Sequence, residues 1–337
     1  MGQYIARRLV LMVVAALGVT LISFIVAHSV PNDPIVSNLG QIASQRPEIV
    51  KAFREKWGLD RPLHEQYFTF VRNLFRGEFG TSINTRRAIT KDLALFLPAT
   101  VELATAAVVF ALLLGLPLGI FAAVRRDGPI DHLARMVSLI GVSIPIFWLA
   151  TVSLVLFYAT LHWTVGPGRL GPQVERPDYV TGLFTVDSLL DGDFETFKDA
   201  VSHLILPGLV LASSIMGLIT RITRSSMLEV LSQDYTRTAR AKGLRESVVV
   251  ARHALRNALI PTVTVLGLAY GGLLSGAVMT ETIFAWPGLG RYAFQSVRTN
   301  DFPAIMSVTF VIGIVYVVVN LFVDLLYGWL DPRIHYS

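Results

Sequence analysis

The sequence has no cysteine, so disulfides and thiolate metal sites are excluded. It is poor in charge: 16% of residues are charged and 53% hydrophobic, against roughly 25% and 45–50% in soluble domains. That deficit places the chain among membrane proteins. No G-x-x-x-x-G-K-[ST] segment is present, so the usual phosphate loop for ATP is missing. The seven histidines, at 28, 64, 132, 162, 203, 253 and 335, form no H-E-x-x-H and no close metal spacing. A G-x-S-x-G nucleophile elbow is also lacking. Gly166, Gly168 and Gly171 spell G-x-G-x-x-G, but no strand precedes them and Pro167 interrupts them. A flexible external turn suits them better than a dinucleotide site. Catalytic, cofactor and metal sites are therefore not expected.

What the chain has is long uncharged runs. After Arg7 and Arg8, residues Leu9 to Val30 carry no formal charge apart from a possible one on His28. These 22 residues suffice for a ~30 Å hydrocarbon core and are too long for a signal-peptide core. Five further spans are expected at Leu103–Val124, Met136–Leu161, Leu204–Thr220, Asn257–Thr280 and Phe302–Val323. Proline at 117, 145 and 207 is tolerable where neighbouring helices satisfy the freed carbonyls. Residues 1–30 read as an anchor span, 31–97 as an external domain, and 98–337 as a five-span core with a loop at 221–260. In the external domain, the apolar spacing over Tyr67–Phe79 predicts short packed helices.

The net charge of +5 reflects topology rather than nucleic-acid binding. Between Arg221 and Arg256 stand eight Lys/Arg and three acids; loop 162–202 has three Lys/Arg and seven acids. The contrast puts the 221–260 loop, and with six spans both termini, in the cytoplasm. Within loop 162–202, FETFKDAVSHL reads as a short helix lying on the membrane surface. Glu102, Glu281 and Asp324 fall near span ends, not mid-membrane where ion coupling would need them, and a structural hydrogen bond is expected for each. His28 and His203 are read the same way. Gly267/Gly271 and Gly272/Gly276 form two G-x-x-x-G pairs, expected to pack helix on helix. Trp286 with Pro287–Gly288 suggests a tight interfacial turn.

The basic loop reads RSSMLEVLSQDYTRTARAKGLRESVVVARHALRNALIP after Thr223. Asp234 suits an N-cap and Gly243 a helix stop, with about two turns of helix between them. Ala239 and Gly243 lie four apart on one face, where another protein could approach closely. A second helix is expected from Ser247, with Leu255 and Leu259 on an apolar face and Arg245, Arg252 and Arg256 on another. An ordinary loop whose arginines reach for lipid headgroups fits the same pattern.

The segments DYTRTARAKGL and RHALRNALIP resemble the coupling loop of ABC-transporter permeases of the peptide-importer branch. Against that family's pattern, Gly243 matches the glycine, Ala239 the second alanine and Leu255 the leucine. Thr238, Arg237 and Arg256 replace the first alanine, the glutamate and the proline, as in the first-permease "B" variant. SVPNDP, WGLDRPLHEQYFTFVRNLFRGEFGTS, TETIFAWPGLGRYAFQSVRTNDFP and DLLYGWLDPRI resemble further segments of that branch. The resemblance implies an all-α membrane protein with six spans and an external helical domain. It implies half of a translocation pathway for di- or oligopeptides, with nickel or another small solute as the alternative cargo. An ion-coupled secondary transporter is the rival class. Implied partners are a second permease, two ATP-binding subunits that hold ATP and Mg, an external peptide-binding protein and membrane lipids. The residues implied to dock on an ATPase are Asp234, Tyr235, Thr238, Ala239, Ala241, Lys242, Gly243, Leu244, Arg252 and Arg256.

Overall fold

A computed structural model describes residues 2–29, 45–57 and 61–330. SVPNDP and the last seven residues lie outside the described residues, as do the side chains of His28 and Asp324. The elements are α1 (Gly2–Ser29), α2 (Pro47–Trp57), α3 (Leu63–Phe75), α4 (Ile89–Val124), α5 (Pro129–Ser143) and α6 (Ile146–Thr160). They continue as α7 (Phe184–Leu190), α8 (Phe194–Leu231), α9 (Asp234–Ala241), α10 (Glu246–Leu274), α11 (Val278–Ile283), α12 (Leu289–Arg298) and α13 (Phe302–Leu330). The all-α membrane architecture expected from composition is what the chain adopts. Helices α4, α8, α10 and α13 are each long and apolar enough to cross a bilayer, and α5 with α6 make a fifth if counted as one broken span. The apolar stretch of α1, Val10–Ile25, is shorter. Helices α2 and α3 are the short helices expected within residues 31–97.

Three spans differ from expectation. The third is not one rod: α5 and α6 meet at 100°. Pro145 disfavours the helical conformation at Ile144, which is extended at φ −79°, ψ 126°. The fourth is not 17 residues but the 38 of α8, roughly 57 Å at ~1.5 Å per residue. FETFKDAVSHL is therefore its first turns and not a separate surface helix; Asp193 caps it by accepting from the backbone N–H of Glu195 and Thr196. The fifth helix stops at Leu274, short of Thr280, because the chain turns at Gly276 with φ +108°.

Small residues set the closest contacts. A Cβ added at Gly115, Gly119, Gly141 or Gly217 would lie 3.0 Å or less from a backbone oxygen of the facing helix. The first two fit α4 against α8 and the other two fit α5 against α8. Thr220 Oγ donates across this seam to the Gly115 carbonyl at 3.1 Å. Gly267 and Gly271 do pack α10 on α13: a Cβ at Gly267 would collide with Val323, and one at Gly271 would touch Tyr316 and Val319. The second glycine pair does not pack as expected. Gly272 is exposed with open space around it, and Gly276 has left the helix and faces Gly290.

The end away from α9 is tied by buried polar groups. Glu281 is fully buried; Thr100 Oγ and the Arg291 N–H each donate to it at 2.8 Å. Glu102 accepts from the Arg169 guanidinium at 2.5 Å and from Thr185 N–H and Oγ at 2.8 Å. Both acids thus have the structural hydrogen bonds expected of them. His203 is buried, its Nδ1 lying 2.9 Å from the Asp199 carbonyl. The glycine-rich turn is not a free flap. Arg169 is buried in it, lies over the Phe184 ring at 3.5 Å and also donates to the Gly182 carbonyl. Burial pushes its guanidinium below the ordinary range, and Glu102 beside it works the other way. Trp286 is likewise not an interfacial residue: it is fully buried and its Nε1 donates to the Ala99 carbonyl at 2.8 Å.

Candidate functional site

The loop between α8 and α10 is shorter than 221–260. Helix α8 carries Arg221 to Leu231, so the segment outside the two long helices is Ser232 to Arg245. Gln233, extended at ψ 152°, precedes α9, and its carbonyl accepts from the N–H of Thr236 and Arg237. Asp234 is therefore the first helical residue and not the cap. Its exposed carboxylate, 3.6 Å from Arg237, favours the positive end of the helix dipole.

One face of α9 is turned into its own chain. Thr236 is fully buried, and its hydroxyl donates toward the carbonyls of Gln233 and Leu231 at 2.7 and 2.9 Å. Ala239, three residues on, is 6% exposed. The small side chain of Ala239 thus lets α9 sit on its own chain, and the shared outer face with Gly243 is not formed. Tyr235, Thr238, Ala241, Lys242, Gly243 and Leu244 are exposed, as are Asp234, Arg237 and Arg240. Tyr235 and Leu244 are large and apolar yet 42% and 41% exposed.

The end of α9 is set by stereochemistry. Gly243 has φ +77°, a conformation an L side chain resists. Its N–H donates to the Arg240 carbonyl at 2.9 Å, and the Leu244 N–H reaches the Ala239 carbonyl at 3.4 Å. This 5→2 and 6→1 pair is a Schellman cap, as the sequence led one to expect of the glycine. Arg240 then staples the loop: its guanidinium donates to both Glu246 oxygens, at 3.0 and 2.8 Å, and to the Leu231 carbonyl at 3.3 Å. Glu246 in turn holds the Arg240 guanidinium above its usual range. Asn257 Nδ2 donates to the Tyr235 hydroxyl at 2.9 Å, linking α9 to α10.

Helix α10 begins at Glu246, one residue before Ser247, and its stretch Val249–Ala254 has π-type turns. No sequence pattern foretold those turns. They change the register, so the i, i+7, i+11 spacing does not align the arginines as α-helical geometry would. Arg245 sits outside the helix, while Arg252 and Arg256 are exposed along it. Leu255 and Leu259 are half-buried. Ala254 and Ala258 are fully buried against Met227 of α8 and Ala123 of α4. Thr223 and Thr262 Oγ atoms meet at 3.1 Å in the same joint. The loop helix is thus locked to both long helices on one side and open on the other. Among the described residues no three His, Cys, Asp or Glu could hold a metal.

Residues 115–336 match the family model for the binding-protein-dependent transport system inner membrane component, and residues 1–104 match the N-terminal model of the same systems' membrane component. The chain belongs to this family of transport permeases. It is 49% identical, over 96% of its length and 94% of the relative's, to the probable D,D-dipeptide transport system permease protein DdpB of Escherichia coli (strain K12). It is 42% identical, over 100% of both chains, to the dipeptide transport system permease protein DppB of Alkalihalophilus pseudofirmus. The oligopeptide transport system permease protein AppB of Bacillus subtilis (strain 168) is 38% identical over 100% of both. The family and the apolar helices together make this a multi-pass membrane permease. The loop from Ser232 to Arg245 falls inside the larger matched block.

Proposed function

We propose that the chain is a permease subunit of an ATP-driven peptide importer and forms half of the pathway for di- or oligopeptides. Its partners are a second permease, two ATP-hydrolysing subunits carrying ATP and Mg, and an external peptide-binding protein. The chain itself is non-catalytic. The peptide cargo rests on the names of the relatives at 38–49% identity. The cytoplasmic placement of α9 and both termini rests on the basic excess of the loop.

The observation that carries the coupling role is the two-sided nature of α9. Thr236 and Ala239 anchor it inward while Tyr235, Lys242 and Leu244 remain exposed. A partner ATPase gripping the outer face would move α8 and α10 together, because Met227, Ala254 and Ala258 bind the two helices into one body. Leu244→Asp changes only the exposed side. In liposomes holding the complete transporter, this variant should lose most peptide-stimulated ATP hydrolysis while the chain inserts and melts as wild type does. Wild-type uptake by the variant would refute the docking role. Peptide accumulation by the chain alone, without ATPase, would refute the importer assignment. Since the chain is free of cysteine, Lys242→Cys gives a single label site; reaction from the outside of intact cells would overturn the orientation.

A further inference from the structure

A cleft of about 350 Å³ runs along the seam of α5 and α8, at the end nearest α9. One end of it is cationic: Arg135, Arg221 and Arg224 line it. Behind them Asp131 is fully buried, and its two oxygens accept from both Arg135 and Arg224. Asp127 also pairs with Arg135, at 2.9 Å, and with Arg126, at 3.3 Å, so two carboxylates stand among three guanidiniums and one positive charge is left uncompensated. Arg221 adds a second, since it has no ion-pair or hydrogen-bond partner among the described residues. The other end of the cleft is apolar. Leu139 and Val142 line it and are 70% and 55% exposed. Open apolar surface of that kind suits an acyl chain, whose every buried CH₂ favours binding.

We propose that this cleft binds the phosphate headgroup of an anionic phospholipid, with one acyl chain lying over Leu139 and Val142. The guanidiniums suit phosphate because their planar donors match its oxygens. A soluble anion would satisfy only the cationic end, whereas a phospholipid matches both. The buried Asp131 holds Arg135 and Arg224 in place, so the site is formed before the lipid arrives.

The test uses the full chain in neutral detergent, titrated with phosphatidylglycerol, phosphatidylcholine or inorganic phosphate, with thermal unfolding as the readout. Phosphatidylglycerol should raise the melting temperature and phosphatidylcholine should not. Arg221→Gln should weaken the phosphatidylglycerol response about five-fold, the equivalent of ~1 kcal/mol for one surface arginine. Arg237→Gln removes the same charge from the exposed face of α9 and should leave the response unchanged. Leu139→Glu should abolish the lipid response. Equal responses to the two lipids, or equal losses in the two arginine variants, would overturn the proposal. A full response to inorganic phosphate alone, with Leu139→Glu silent, would mark the ligand as a soluble anion and overturn the lipid.

Discussion

The two ends of the molecule are held by different kinds of polar contact. At the end away from α9 the ties are buried and span the sequence: Arg169 to Glu102, Thr100 to Glu281, Trp286 to Ala99, and Ser82 to Asp301. Around α9 itself they join residues 5 to 22 positions apart, Arg240 to Glu246, Thr236 to Leu231 and Asn257 to Tyr235, and of these six only Thr236 is buried; the Asp131–Arg224 pair lies outside this loop. A buried tie between distant segments welds a block, because breaking it strands a charge or dipole in low dielectric. A surface tie shapes a local unit that still presents a face to partners. One end is thus built to stay closed and the other to be gripped.

The largest test of this contrast is Arg169→Ala. The side chains of Arg169 and Glu102 are 3% and 4% exposed, so removing one strands the other. The variant should lose about 3–5 kcal/mol in denaturant unfolding. Arg169→Met with Glu102→Leu should recover part of the loss. A cost as small as that of a surface pair would dissolve the distinction between the two ends.

Next in size is the seam of α10 and α13. Gly267→Ala should cost about 1–3 kcal/mol by overpacking against Val323. Gly272→Ala, in open space on the same helix, should be neutral or slightly stabilising. Thermal unfolding of the two variants side by side decides whether contact or mere helix content controls this seam.

Smaller again is Gly243→Ala, which forces a Cβ into φ +77°. Nothing stands near that Cβ, so the cost is backbone strain alone, about 1 kcal/mol. Hydrogen exchange should show the loss confined to the last turn of α9, with α8 and α10 unchanged. The smallest effect belongs to Arg240→Gln. Its ion pair with Glu246 is 38% and 52% exposed, so less than ~1 kcal/mol should be lost, and less still in high salt. A large, salt-independent loss would mean that the loop is welded like the end away from α9.

Much of this was legible from residue order. Charge-free runs longer than a bilayer require helices, because lipid leaves backbone polar groups no other partner. Gly243 ending α9 was legible too, since a left-handed residue is a property of the local chain. Less local features were not. Ala239 and Gly243 look alike as small residues, yet one is buried and the other open. Gly267 packs and Gly272 does not, though both sit in G-x-x-x-G. Asp234 missed the cap by one residue, and the π turns of α10 shifted its arginines, because both depend on how the two long helices pin the loop.

Residue order alone determined the class of the molecule, its run of membrane helices, the basic loop and the family it belongs to. The first three follow from composition, from lengths set by the bilayer and from stereochemistry within a few residues; the family follows from the resemblance of whole segments such as DYTRTARAKGL. Tertiary structure alone decided which face of α9 is free and that Arg169 closes on Glu102 from 67 positions away. Which neighbour a side chain meets is set by how helices cross, and that geometry is not written in any single stretch of chain.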